Sequence, residues 1–186
     1  MVVKDPIGCL MGLYEAAEMH LKAVGDGFIE SCNLWSEVAN RVRKLKIPEV
    51  YSPWHAKGTA LVIESTSGST EDITNVLNLC DIYVNSTPRC ELALEYIKSA
   101  NPPYDVLIVS GLKAQEPAII DCLDSLQQDV PGYRRPLLVL ANANHYPQEL
   151  VSRAFTTFQP NPNPVHFAHL INTAVKMSRC RREVNS

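Results

Sequence analysis

The sequence predicts an α/β fold: a doubly wound parallel sheet of five βα units, preceded by an α-helical hairpin. Three observations predict it. Tyr104-Asp105-Val106-Leu107-Ile108-Val109-Ser110-Gly111 is an apolar run, rich in β-branched residues, that starts after a double proline and stops at a serine and a glycine. Such bounded runs mark strands covered on both faces. Beyond Gly58, short apolar runs alternate with helical patterns, as in successive βαβ units. Before Gly58, apolar residues recur at helical spacing instead.

The helical preface runs from Ile7 to Lys46. Its first stripe is Ile7, Leu10, Met11, Tyr14, Leu21 and Val24, and its second is Phe28, Cys32, Trp35, Val38, Ala39, Val42 and Leu45. Gly25-Asp26-Gly27 interrupts the pattern and favours two helices over one rod. Arg41, Arg43, Lys44 and Lys46 crowd the second helix's end, where cations complement the helix dipole. Pro48, Pro53 and Gly58 punctuate a linker whose Tyr51, Trp54 and His55 are expected to dock on a neighbour. Residues 1–57 therefore read as hairpin and linker, and 58–186 as the α/β domain.

Within that domain, strands are expected at 59–64, 82–85, 104–110, 136–141 and 154–158. Helices are expected at 71–79, 88–100 with Pro88 in its first turn, 116–128, 147–153, and from the Asn161-Pro162-Asn163-Pro164 break to about 179. In an open α/β sheet, the loops leaving the carboxyl ends of the strands carry the chemistry, so Ser110 becomes a candidate functional position.

Composition narrows the class. The chain has 186 residues and a net charge of −3, so nothing attracts it generally to nucleic acid or anionic membrane. Its six cysteines include no CxxC pair and read as reduced thiols rather than a disulfide framework or metal site. No apolar stretch is long enough to span a bilayer, and Asp5 and Pro6 sit where a signal peptide wants a basic start and an apolar core, so a cytoplasmic protein is expected.

Five units of this size, with a short fourth helix and a proline just past strand five, resemble the receiver domain of two-component signalling over residues 59–178. The resemblance implies strand order 2-1-3-4-5. In receivers an acidic pair ends strand one, a phosphoacceptor aspartate ends strand three, a Thr or Ser ends strand four, and Lys-Pro ends strand five. By register these positions fall on Glu64-Ser65, Ser110, Ala141 and Gln159-Pro160. The separations, 46 from Glu64 to Ser110 and 31 from Ser110 to Ala141, match the pattern, while 18 from Ala141 to Gln159 implies a trimmed fourth helix. One acid is kept, and the acceptor, the strand-four hydroxyl and the lysine are replaced. That combination resembles the pseudo-receivers, which regulate through protein contacts without aspartate phosphorylation.

The loop after strand one admits a second reading. Ser65-Thr66-Ser67-Gly68-Ser69-Thr70-Glu71 resembles the phosphate loop of flavodoxins, in which Ser65, Ser67, Ser69 and Thr70 would offer hydroxyls to an FMN or nucleotide phosphate and Gly68 would allow close approach. The same residues also read as helix caps with no ligand. Of the loops that would wall a flavin, only Tyr146 offers an aromatic ring.

Other motifs carry less. His20-Leu21-Lys22 is similar to a phosphotransfer histidine motif but stands on a two-helix segment and reads as a surface histidine. His145, His166 and His169 have no Cys, Asp or Glu at metal spacing, and Val109-Ser110-Gly111 lacks the Gly-x-Ser-x-Gly elbow of hydrolases, so neither a metal nor an enzyme is expected. Association remains. Trp35, Val38, Val42 and Leu45 form the strongest seam, which must bury against the sheet's own helices or a second subunit; a homodimer, or docking to a signalling partner, through this hairpin is expected. A second surface is expected along helix four, strand five and helix five, with Val165, His166 and Phe167.

Overall fold

The computed structural model describes residues 4–25, 29–45, 52–64, 69–110, 116–141, 146–158 and 163–185. Among the described residues, seven α-helices and five strands follow one another as α1 (Pro6–Val24), α2 (Ser31–Lys44), β1 (Gly58–Glu64), α3 (Ser69–Leu79), β2 (Ile82–Thr87), α4 (Cys90–Ser99), β3 (Val106–Ser110), α5 (Glu116–Asp129), β4 (Leu137–Ala141), α6 (Gln148–Arg153), β5 (Thr156–Phe158) and α7 (Pro164–Asn185), with a short 3-10 turn at Gly132–Arg134. The sheet is parallel throughout, in the order β2-β1-β3-β4-β5. This is the flavodoxin-like α/β arrangement that the alternation of patterns predicts.

Period-two alternation divides the sheet's apolar residues between two cores. Ala60, Val62, Val106, Ile108 and Val139 point to one face, where they join residues of α1, α2, α3 and α7. Leu61, Ile63, Leu107, Val109, Leu138 and Leu140 point to the other, under α4, α5 and α6. The hairpin straddles the first face, with α1 against α7 and α2 against α3. It shares that core and has none of its own.

Local chemistry sets the helix ends. The Asp5 carboxylate accepts the Gly8 N–H at 2.9 Å and Pro6 occupies the first turn of α1, where its missing N–H costs nothing. Gly25 closes α1 in the left-handed conformation, φ 95°, which glycine adopts without steric cost. Asn163 caps α7 by accepting the Val165 N–H at 2.9 Å and the His166 N–H at 3.3 Å. α4 begins two residues later than expected. Its N-cap is Arg89, whose N–H donates to the Thr87 hydroxyl at 3.3 Å, and Pro88 stands outside the helix. α7 runs six residues beyond its expected end, because arginines in its last turns bind the sheet.

Three expectations meet the packing of the first face and the linker. Trp35, Val38 and Val42 are 3%, 0% and 2% exposed, and Leu45 packs half-buried against the same core. Trp35 meets Phe167 of α7 edge-on, with ring centroids 5.6 Å apart, and Phe167 meets Phe158 of β5 at 5.1 Å. The seam is thus buried against the chain's own helices, and Phe167 is core rather than part of a docking face. Trp54, expected to dock, is 64% exposed, while Tyr51 lies outside the described residues.

Trp35→Ala should cost about 3–5 kcal/mol of folding stability, read from the urea midpoint, through the cavity left beside Phe167. The loss should be the same at every protein concentration. A loss that grows on dilution would place Trp35 in a subunit interface.

Candidate functional site

The strand order reverses between β1 and β3, and crevices outside the carboxyl ends at such a reversal are the usual ligand sites of open sheets. Glu64 closes β1 and Ser110 closes β3, and the two are direct partners across the ladder. Glu64 is 6% exposed, so its carboxyl group lies within the protein, whereas Ser110 is half-buried. Ala141 ends β4, buried, opposite Phe158 of β5. The structure therefore brings Glu64, Ser110 and Ala141 along one edge. Ser65, Ser67, Gly68, Gln159 and Pro160 lie outside the described residues, and Ser69 and Thr70 open the backbone of α3.

Chemically, Glu64, Ser110 and Ala141 offer one carboxyl, one hydroxyl and one methyl group. A serine hydroxyl cannot form the acyl phosphate that an aspartate forms, and a methyl cannot donate a hydrogen bond to a phosphoryl oxygen. His20, His166 and His169 are exposed on α1 and α7, and His145 lies outside the described residues. Among the described residues, no three His, Cys, Asp or Glu side chains converge as a metal site would require. No helix of the described residues is long and apolar enough to cross a membrane.

Comparison with protein-family models, curated proteins and solved structures gave no match.

Among the described residues, the most elaborate polar cluster lies at the opposite, amino edge of the sheet. Asp105, just ahead of β3, is 1% exposed. Its Oδ2 accepts the Thr59 N–H at 2.9 Å and lies 3.2 Å from the Thr59 hydroxyl, which also reaches the Pro103 carbonyl at 3.0 Å. From α7, Arg179 brings Nε to 3.4 Å of the same oxygen, and the Arg182 guanidinium pairs with Oδ1. Arg182 also donates to the Pro103 carbonyl at 3.0 Å, and Arg179 to the Ala56 carbonyl at 3.4 Å. Burial lowers the pKa of Arg182 from its ordinary value, yet a guanidinium keeps its proton in proteins.

Beside this cluster, Arg134 donates to the Ala100 carbonyl at 2.9 Å, and Arg135 donates through Nε to Val130 at 2.6 Å. Arg181 reaches across from α7 to the Arg135 carbonyl. Five arginines from two short segments, Arg134-Arg135 and Arg179 to Arg182, thus gather under the sheet. Sequence reasoning passed over all of them. The available signal was the acid inside the apolar run at 104–110, which invites a search for a buried partner.

Burial also governs the thiols. It pushes Cys80 and Cys90 up to about 11, and Cys122 up to about 12 with help from neighbouring Cys90 and Glu91. The folded chain therefore keeps protons that an unfolded chain begins to lose near pH 9, so the unfolded state binds fewer protons and stability falls as pH rises. The contribution should be whole below about pH 9 and lost progressively toward the folded values. Urea midpoints measured from pH 8 to pH 11 should show this decline, and Cys122→Ala should reduce it. An identical decline in variants lacking Cys80, Cys90 and Cys122 would show that other groups titrate.

Proposed function

We propose that the chain is a phosphorylation-independent, pseudo-receiver-like regulatory domain that acts through protein–protein contact. The observation that carries this reading is the strand-end set: Ser110 closes the central strand in register with Glu64, beside the methyl group of Ala141 on β4. A regulatory sheet of order 2-1-3-4-5 without an aspartate at that strand end cannot be switched by an acyl phosphate. The six-residue α6 agrees with the trimmed fourth helix that the spacing implies. With Trp35, Val38 and Val42 committed to the core, contact with a partner falls to the α6–β5–α7 side, where His166 is exposed and Val165 half-buried.

A second reading, FMN or nucleotide binding by the 65–71 loop, draws support from the loop's position, since it leaves β1 where the strand order reverses and opens α3. One set of samples separates the two. In the amide NMR spectrum of the labelled protein, beryllofluoride with Mg²⁺ should change nothing, and shifts concentrated at Glu64 and Ser110 would overturn the pseudo-receiver reading. Saturating FMN should leave thermal stability unchanged, whereas a flavin protein would gain a few kcal/mol at ligand concentrations about 100 times the dissociation constant or above.

A further inference from the structure

At the amino edge, a cavity of about 440 Å³ opens between the end of α4, the loop that follows it, the Gly132–Arg134 turn and the end of α7. That volume is within the range of ligand pockets, roughly 300–1,000 Å³. Its wall is one-sided in charge. Among the described residues, those lining it include the cations Lys98, Arg134 and Arg182 and no carboxylate. Tyr133, 42% exposed, and Pro103 supply the apolar part.

Two acids reach these cations from outside the wall, and they do not balance them. Lys98 meets Asp129 at 2.6 Å, with both side chains open to water, so little free energy holds the lysine there. Asp105 pairs with Arg182, and the same carboxylate also faces Arg179. Arg134 has a different partner, donating to the Ala100 carbonyl at 2.9 Å. A carbonyl orients a guanidinium without cancelling its charge, and this bond uses one of five N–H donors. Lys98, Arg134, Arg179 and Arg182 against Asp105 and Asp129 leave two positive charges. The end of α4 offsets only part of that surplus, since a helix carboxyl terminus carries about half a negative charge.

We propose that this cavity binds a phosphate monoester with a planar aromatic body, its phosphate among Lys98, Arg134 and Arg182 and its ring against Tyr133 and Pro103. A phosphate monoester carries about two negative charges at pH 8, which matches the surplus. The largely unused fork of Arg134 can give parallel N–H bonds to two phosphate oxygens, and Lys98 adds a point charge. The apolar wall sets the second requirement, because a phosphate without a body would leave the Tyr133 ring uncovered, whereas a planar ring stacks on it. The site lies on the opposite edge of the sheet from Glu64 and Ser110 and does not depend on how that edge works.

Phenyl phosphate, inorganic phosphate and phenol are the probes, each titrated into the full chain at pH 8 and followed by thermal shift and by the amide NMR signals of Asn101 and Arg134. Phenyl phosphate should raise the melting temperature in a dose-dependent way and move both signals. Inorganic phosphate, lacking the body, and phenol, lacking the charge, should each need about tenfold higher concentrations for the same effect. Arg134→Gln should weaken phenyl phosphate about tenfold, the scale of one hydrogen bond to a charged group. Lys98→Gln, at an exposed position, should weaken it as well and serves if the first variant unfolds, while Lys176→Gln, which does not line the cavity, should bind as the parent does. Equal affinity for inorganic phosphate, equal affinity for phenol, undiminished phenyl phosphate affinity in both wall variants, or no binding of phenyl phosphate would each overturn the assignment.

Discussion

A single buried carboxylate organises the amino edge of this protein. Asp105 is almost fully removed from water, and an ion in that position costs several kcal/mol unless its neighbours replace the lost hydration. Thr59 supplies an N–H and a hydroxyl from β1, and Arg179 and Arg182 supply charge from α7. Three segments far apart in the chain are thereby obliged to meet. The main chain of Asp105 joins the same knot: its N–H donates to the Thr59 carbonyl, and its own carbonyl accepts from Leu137 of β4. β1, β3, β4 and α7 share one anchoring residue.

The first face of the molecule follows from that anchor. With α7 tied down at its carboxyl end, its body lies so close to β1 that a β-carbon on Gly58 would come within 2.8 Å of both Val175 methyl groups. Phe167 on the same helix receives Trp35, and the hairpin settles over α3 and α7. An apolar stripe that might have served a second subunit is consumed by this arrangement. The described strand ends at the carboxyl edge include Glu64, Ser110 and Ala141, whereas the amino edge gathers arginines around Asp105.

Much of this was legible in the sequence, for reasons that particular residues make plain. Elements with strong periodicity and clear punctuation, such as the run ending at Ser110 or the helix after Asn163-Pro164, lie where expected, and the register that set Glu64 against Ser110 is the register of the β1–β3 ladder. The stripe through Trp35 and Val42 was legible as apolar, but amphipathicity does not say what covers a face, and only the position of Phe167 decides it. Asp105 escaped notice because its partners stand 46 and 74 residues away, and an acid at the start of an apolar run looks like a strand boundary. The arginines of α7 escaped for a related reason, since cations at a helix carboxyl end have a sufficient local explanation in the helix dipole.

A double-mutant cycle on Asp105→Asn and Arg182→Met tests the anchor most directly, with stability measured by urea unfolding for the parent, both single variants and the double variant. Removing either partner strands a buried polar group, while removing both strands neither. The account predicts that each single variant loses about 3–5 kcal/mol and that the double variant loses far less than the sum, with a coupling of about 2 kcal/mol or more. Losses that simply add would contradict it, and would reduce Asp105 to an independent buried group with no hold on α7.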